Sequence, residues 1–163
     1  MNHTHAPVSR SFALVFSIVP VFLASAIGSA ATIPNIPGWY MNLVKPGFTP
    51  PNWIFGPVWT VLYIVIALAC YRVLRKPGSA SRFWLLVAYL VQAGLNAAWS
   101  IVFFGLHSPG IGLIVIGPLW ASIVWTIFLF WRRDPLTGAV LLPYLAWVSF
   151  ATALNAAIWS LNS

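Results

Sequence analysis

The sequence predicts an all-α integral membrane protein, built as a bundle of five membrane-spanning helices. Its 163 residues are 61% hydrophobic and only 6% charged, which is too little charge to cover the surface of a soluble domain. Five apolar runs reach the length of about 20 residues that a helix needs to cross a bilayer. Backbone groups in hydrocarbon must bond internally, and the alternation of barrel strands is absent, so each run is predicted to be a helix. The runs cover residues 11–31, 54–74, 83–106, 111–131 and 138–160.

The first run follows a polar tail, residues 1–10, which ends in Arg10. A basic residue, an apolar run and the small residues of SAIGSAA also fit a cleaved signal peptide. We interpret the run as a retained helix, because it is long and because the loop after it carries apolar side chains. Residues 11–160 then form a single membrane domain.

The loop between the first two runs, from about Thr32 to Trp53, is rich in rigid residues. Its prolines are Pro34, Pro37, Pro46, Pro50 and Pro51. Proline lowers the entropy that a chain loses on ordering, and Trp39, Tyr40 and Phe48 need an apolar surface to cover. We therefore expect a structured lid over the outer end of the bundle. For Lys45, in this loop, we favour capping of a helix C-terminus over contact with a ligand carboxylate.

The net charge of +7 follows the predicted topology. Seven basic residues fall on one side of the membrane: Arg10, Arg72, Arg75, Lys76, Arg82, Arg132 and Arg133. Lys45 alone falls on the other side. The positive-inside rule then predicts a bacterial cell membrane protein with a cytoplasmic N-terminus and an external C-terminus. These residues are expected to lie beside anionic lipid, and no nucleic-acid binding is expected.

Residue types that support conventional catalysis are scarce. Asp134 is the only acidic residue, so a carboxylate pair for acid–base chemistry and a carboxylate cage for a hard metal are excluded. His3 and His5 lie in the tail, and His107 is interpreted as a loop residue. Cys70 is the only cysteine, which excludes an internal disulfide. We expect no metal and no required cofactor, which leaves binding by the abundant aromatic residues.

Three of the predicted helices carry aromatic or amide residues on one face, at spacings of three and four. These are Phe55, Trp59 and Tyr63 in the second, Gln92, Asn96 and Trp99 in the third, and Tyr144, Trp147, Ala151 and Asn155 in the fifth. Amides inside a membrane are unfavourable unless they are paired, so they should face the interior. Two interpretations stay open: interhelical hydrogen bonding, or a cavity for a large, flat, mostly apolar ligand.

Small residues spaced by four predict close helix packing. The pairs are Ala24 with Gly28, Ala93 with Ala97, and Gly94 with Ala98. The third helix carries two of these pairs. We expect one to pack inside the bundle and the other to serve self-association.

Four blocks of sequence resemble a known family, in order and over nearly the whole chain. They are WYMNLVKPGFTPP in the first loop, VWTVLY in the second helix, QAGLNAAWS followed by FFG in the third, and PYLAWVSFATALN in the fifth. On these blocks the chain resembles the translocator protein and tryptophan-rich sensory protein family.

The resemblance implies a five-helix bundle that forms a homodimer, which we expect to pair through the third helix. It also implies a pocket near the loop that binds porphyrins, such as protoporphyrin IX or haem. The family's pocket residues match Tyr40, Trp59, Gln92, Asn96, Trp147 and Ala151, and its lid prolines match Pro50 and Pro51. Tyr63, from the face pattern of the second helix, completes the expected ligand-binding set.

Three functions follow from the resemblance. The first is a membrane receptor or transport protein for tetrapyrroles and similar flat aromatic ligands, acting in stress or tetrapyrrole regulation. The second is a light-dependent porphyrin-degrading enzyme that uses Trp59 and Trp147. The third is a sensor that signals to another membrane protein. The family's sterol motif is not matched, since Ala156 and Ser160 replace its tyrosine and its basic residue, so cholesterol binding is not expected.

Overall fold

The computed structural model describes residues 8–77 and 81–163, so His3, His5 and most of the predicted tail lie outside the described part. The helices are α1 (Arg10–Thr32), α2 (Phe55–Arg75), α3 (Arg82–Ser100), α4 (Pro109–Arg133), α5 (Pro135–Ala139) and α6 (Leu142–Asn162). Among the described residues, five helical segments are long and apolar enough to cross a membrane, and none forms a strand. The predicted all-α membrane bundle is confirmed. The last predicted run comprises α5, a turn and α6.

Helix α3 packs against both α1 and α4 at the centre of the bundle. Ala24 of α1 forms a buried cluster with Ala93 and Ala97 of α3, as their spacing predicts. By contrast, Gly94 lies on the outward face, and a Cβ added there would meet nothing within 4 Å. Pairing of two copies through this outward face stays a prediction.

The loop after α1 begins with two tight helical turns. A 3₁₀ turn (Ile33–Asn35) and a π turn (Ile36–Tyr40) continue the helix and place Tyr40 in the core, only 2% exposed. Farther along, the side-chain amide of Asn162 accepts from Val44 N and donates to Val44 O, both at 2.9 Å. The loop is thereby held against the end of α6.

Lys45 stabilises the end of the π turn. Its Nζ donates to the carbonyl oxygens of Met41 at 3.1 Å and Leu43 at 3.0 Å, and it lies 5.0 Å from the centre of the Tyr40 ring. This geometry confirms the capping interpretation of Lys45.

At the opposite end of α2, Asp134 joins three parts of the chain. Its Oδ2 accepts from Arg72 Nε at 2.6 Å and from Thr137 Oγ1, and its Oδ1 accepts from Lys76 Nζ at 2.9 Å. Burial acts to raise the pKa of Asp134, but hydrogen bonds from Thr137, Arg72 and Lys76 outweigh burial and hold this pKa well below its usual range. A depressed folded-state pKa means that the stabilisation is complete above the unfolded value of about 3.9. It is lost as the pH falls through the folded value.

A close contact between α5 and the end of α4 predicts a large effect of a single methyl group. A Cβ at Gly138 would lie 2.7 Å from Trp131 Cβ and 2.8 Å from Trp131 Cα. Because Trp131 Cα belongs to the backbone of α4, a change of side-chain rotamer cannot relieve this contact. We expect Gly138→Ala to lower the free energy of unfolding by about 1–3 kcal/mol, as overpacking does. Thermal unfolding in detergent, followed by circular dichroism, measures this.

Gly117→Ala in α4 is the matched control, because a Cβ there meets nothing within 4 Å. In a helix interior, alanine is more favourable than glycine by up to about 1 kcal/mol. Equal midpoints for the two variants would contradict the packing of Gly138 against Trp131.

Candidate ligand-binding site

A cavity of about 340 Å³ lies between α1, α2, α3 and α6, next to the π turn that carries Tyr40. One wall is aromatic: Tyr40, Phe55, Trp59, Tyr63, Trp99, Phe104 and Trp147. The α1 wall is made of small and hydroxyl-bearing residues: Ser25, Gly28, Ser29 and Thr32. None of the residues that line this cavity is charged.

The aromatic wall is held in place by ring-to-ring contacts. The Trp59 ring stacks on Tyr63 with centroids 5.5 Å apart and meets the edge of Tyr144 at 6.3 Å. Phe55 contacts both Trp147, at 6.0 Å, and Tyr40, at 6.4 Å. Such contacts contribute about 0.5–1.5 kcal/mol each beyond burial, so the cavity is largely preformed.

The exposed part of the lining lies on α1, on α2 and on the 3₁₀ turns beside them, where Ile33 is 66% exposed. Ser29 on α1 and Gly56 and Thr60 on α2 are exposed, and Trp53, just before α2, is 73% exposed. Both helices are candidate membrane spans, so the exposed residues of the lining belong to two such spans and to the short turns beside them.

Of the nine residues predicted from the sequence to bind a ligand, the structure brings five to the cavity wall. These are Tyr40, Trp59, Tyr63, Trp147 and Ala151. The other four, Pro50, Pro51, Gln92 and Asn96, are not among the residues that line it. The role of all nine in binding stays a prediction.

Gln92 and Asn96 are instead bound into a hydrogen-bonded chain behind the cavity wall. Tyr63 OH donates to Asn96 Oδ1 at 2.7 Å, and Asn96 Nδ2 donates to Tyr144 OH at 3.1 Å. Tyr144 OH in turn donates to Gln92 Oε1 at 2.8 Å. The chain joins α2, α3 and α6, so for these amides interhelical bonding, one of the two open interpretations, is confirmed.

The third buried amide, Asn155 of α6, is paired in the same way. Its Oδ1 accepts from Trp99 Nε1 at 3.0 Å, and its Nδ2 donates to Pro109 O at 2.7 Å. Because Trp99 lines the cavity, this bond fixes a cavity ring from behind. All three amides are buried, as their positions in apolar helices predict.

Two hydrogen-bond donors of the cavity wall have no partner among the residues that the structure describes. They are Tyr40 OH and Trp147 Nε1, both buried. An unpaired buried donor is unfavourable by about 1–3 kcal/mol, so both atoms favour a ligand that brings an acceptor. A third unpaired atom, Gln92 Nε2, faces a separate void of about 10 Å³, which is close to the space for one water.

The α1 wall was not predicted from the sequence. Ser25, Ser29 and Thr32 are spaced by four and three, which places them on one helix face. That spacing is the signal that identifies this wall, since hydroxyl groups rarely cluster on the lipid-facing side of a helix.

The fold and the cavity together define a class: a multi-pass integral membrane protein with an uncharged, aromatic-walled site inside the helix bundle. A comparison with known families agrees with this class, since the TspO/MBR family model matches residues 16–160. The chain belongs to the TspO/MBR family.

Named relatives support the assignment. The chain is 41% identical over 150 residues to "Tryptophan-rich protein TspO" of Archaeoglobus fulgidus, which covers 92% of this chain and 97% of that protein. It is 40% identical over 146 residues to "Protein CrtK" of Rhodobacter capsulatus, and this alignment covers 86% of this chain and 89% of that protein. It is 35% identical over 126 residues to the human "Translocator protein", and this alignment covers 76% of this chain and 75% of that protein.

The hydrogen-bonded chain behind the cavity predicts a graded series of stabilities. Tyr144→Phe removes a donor to Gln92 and an acceptor for Asn96, and we expect it to lower the free energy of unfolding by about 1–3 kcal/mol. Tyr63→Phe removes a single bond, worth about 0.6 kcal/mol on average in membrane helices. Thermal unfolding in detergent gives the order.

Tyr71→Phe on α2 is the control, because Tyr71 lies outside this chain of hydrogen bonds. It should leave the midpoint close to that of the unaltered protein. A Tyr144→Phe midpoint as high as that of Tyr71→Phe would show that the chain contributes nothing to stability.

Proposed function

We propose that this protein binds porphyrins and similar flat aromatic ligands in the cavity between α1, α2, α3 and α6. The observation that carries the proposal is the pair Trp59 and Trp147, two indole rings on the wall of one uncharged cavity. A flat, mostly apolar ring system stacks on such surfaces. The cavity volume of about 340 Å³ lies in the range of small-molecule sites.

The polar groups of the cavity favour a ligand with hydrogen-bond acceptors at its edge. Tyr40 OH and Trp147 Nε1 are donors without a partner, and a carbonyl or carboxylate oxygen would satisfy them. Lys45 carries one positive charge, and its Nζ already donates to Met41 O and Leu43 O, so it alone cannot neutralise two carboxylates. The propionates of a porphyrin should therefore reach water at the loop end.

The biological role that fits this site is that of a membrane receptor or transport protein. Relatives carry the names "Translocator protein" and "Tryptophan-rich sensory protein". Within that range, we propose a part in stress or tetrapyrrole regulation, in the bacterial cell membrane, with the basic end of the bundle in the cytoplasm.

Removal of the two indoles tests the proposal. We expect Trp59→Phe with Trp147→Phe to weaken protoporphyrin IX binding by about tenfold, since each loses stacking area and Trp147 also loses its free donor. Titration in detergent, followed through the porphyrin absorption band, measures the affinity without relying on tryptophan fluorescence.

The matched control is Trp84→Phe with Trp131→Phe. These two indoles are 50% and 45% exposed and lie at the opposite end of the bundle, outside the cavity. The control should bind as tightly as the unaltered protein. Unchanged affinity in the cavity variant, or an equal loss of affinity in both variants, would contradict the proposal.

A second candidate function is light-dependent degradation of the bound porphyrin. The observation that favours it is the stack of Trp59 on Tyr63, whose hydroxyl donates to Asn96. In such a step the excited porphyrin would take one electron from Trp59 and pass it to dioxygen, which becomes superoxide. Tyr63 would reduce the Trp59 radical and would then recover its electron and proton from a porphyrin, so that the net change is the one-electron oxidation of porphyrin by dioxygen.

Illumination separates degradation from simple binding. If the protein degrades porphyrin, the absorption band of protoporphyrin IX should fall with time in light and air but stay constant in the dark. The loss should slow strongly in the Trp59→Phe, Trp147→Phe variant at saturating ligand, and persist in the Trp84→Phe, Trp131→Phe control. A loss as fast in protein-free micelles would reject the enzymatic function.

A further inference from the structure

His107, in the short connection between α3 and α4, has an unusual backbone conformation. Its φ is 54°, and no other non-glycine residue of the described chain has a positive φ. A Cβ is unfavourable in this left-handed region. The backbone on both sides is fixed, since Leu106 N donates to Ile101 O at 2.8 Å and Ser108 N donates to Val102 O at 3.2 Å. Such a conformation persists only where surrounding contacts hold it, so the contacts of the His107 side chain are informative.

The imidazole of His107 makes two contacts with the loop that follows α1. It stacks on the Trp39 ring, with centroids 4.7 Å apart and planes at 17°, and its Nε2 lies 2.8 Å from Asn35 Oδ1. Asn35 Nδ2 donates to Ala31 O at 2.8 Å, which leaves Asn35 Oδ1 to accept from His107. His107 Nε2 therefore carries the proton of this bond. We call the three residues Asn35, Trp39 and His107 the clasp.

The clasp holds the turn that carries Tyr40. Trp39 and Tyr40 are consecutive residues of the π turn. The Trp39 ring meets Phe103 and Phe104 edge-on, with centroids 5.6 Å and 6.4 Å away. The Tyr40 ring lies 5.5 Å from Phe104, centroid to centroid. Because Trp39 is held by His107 as well as by the phenylalanine rings, loss of His107 should loosen the turn and with it Tyr40.

Tyr40 is a residue of the cavity wall whose hydroxyl needs a fixed position. It is only 2% exposed, and its hydroxyl has no hydrogen-bond partner among the described residues. Contact between ring faces tolerates a small displacement, but a hydrogen bond weakens steeply as its angle departs from linearity. A turn that is already ordered before the ligand arrives also reduces the entropy lost on binding.

We propose that His107 is a positioning residue of the cavity, which holds the π turn through Trp39 and Asn35 so that Tyr40 OH can donate to an acceptor on the ligand. The inference rests on the proposed function for the identity of the ligand. His107 itself is not among the residues that line the cavity, so it acts through the fraction of molecules in which the turn is ordered. The apparent dissociation constant is the intrinsic one divided by that fraction.

Hydrogen–deuterium exchange of the ligand-free protein in detergent tests the clasp. The variant is His107→Asn, since asparagine tolerates the left-handed conformation but has no ring to stack on Trp39. We expect the amides of residues 38–41 to exchange at least about tenfold faster than in the unaltered protein. His107 is exposed and lies outside the helices, so the variant should fold. Unchanged exchange of residues 38–41 would overturn the proposal.

Asn162→Ala is the matched control, because it releases the same loop at a different point. The Asn162 amide holds Val44, so its removal should speed exchange at Val44 and leave residues 38–41 protected. If both variants expose residues 38–41 equally, any loosening of the loop frees the turn, and a role specific to His107 is overturned.

Titration with protoporphyrin IX measures the consequence for the cavity. We expect His107→Asn to weaken binding about fivefold, as an ordered fraction of about one-fifth predicts. In a Tyr40→Phe background the same substitution should change the affinity by less than about twofold, because the hydroxyl that His107 positions is absent. An equal loss in both backgrounds, or faster exchange with unchanged affinity, would overturn the positioning role.

The two measurements distinguish a failure of this inference from a failure of the proposed function. If the unaltered protein binds no protoporphyrin IX, the proposed function is wrong, and the exchange of residues 38–41 decides the clasp by itself. If protoporphyrin IX binds but His107→Asn changes neither exchange nor affinity, only the positioning role is wrong.

Discussion

The structure depends on one constraint: a chain in hydrocarbon must pair its polar groups internally. The three amides of α3 and α6 bond across helices, through Tyr144 in one case and Trp99 in another, and only Gln92 Nε2 among their polar atoms has no partner in the described part of the chain. The bonds to Tyr63 and Trp99 also hold two of the aromatic rings that wall the cavity.

This arrangement decides which chemical groups the cavity wall presents. If Gln92 and Asn96 faced the ligand, the site would offer carbonyl acceptors and amide donors. They are occupied by Tyr144 and Tyr63, and the wall is left with ring faces, hydroxyl groups and two free donors, Tyr40 OH and Trp147 Nε1. Under the proposed function, recognition would rest on the area and flatness of the ligand, which suits a broad class of aromatic molecules better than one compound.

Sequence reasoning predicted the bundle well because hydropathy and helix length follow directly from the bilayer. It placed Gln92 and Asn96 in the interior correctly, since an unpaired amide in lipid is unfavourable. It did not distinguish residues of the bundle interior from residues of the cavity wall. The spacing along a helix shows which way a side chain faces, but it does not show that Tyr63 and Tyr144 bond to these amides and that the amides do not line the cavity. Asp134 shows the same limit: its pairing with Arg72, 62 positions away, is a property of the packed structure.

The two ends of α1 and α2 are held differently, and this asymmetry affects how the cavity can open. At the basic end, Val8 N donates to Leu74 O and Val8 O accepts from Arg75, while Asp134 ties Arg72 and Lys76 to the start of α5. At the cavity end, the facing residues are Ser29, Gly56 and Thr60, which are small and exposed. If the proposed ligand enters between α1 and α2, these helices would separate at the cavity end, because the hydrogen bonds and ion pairs named above hold the basic end.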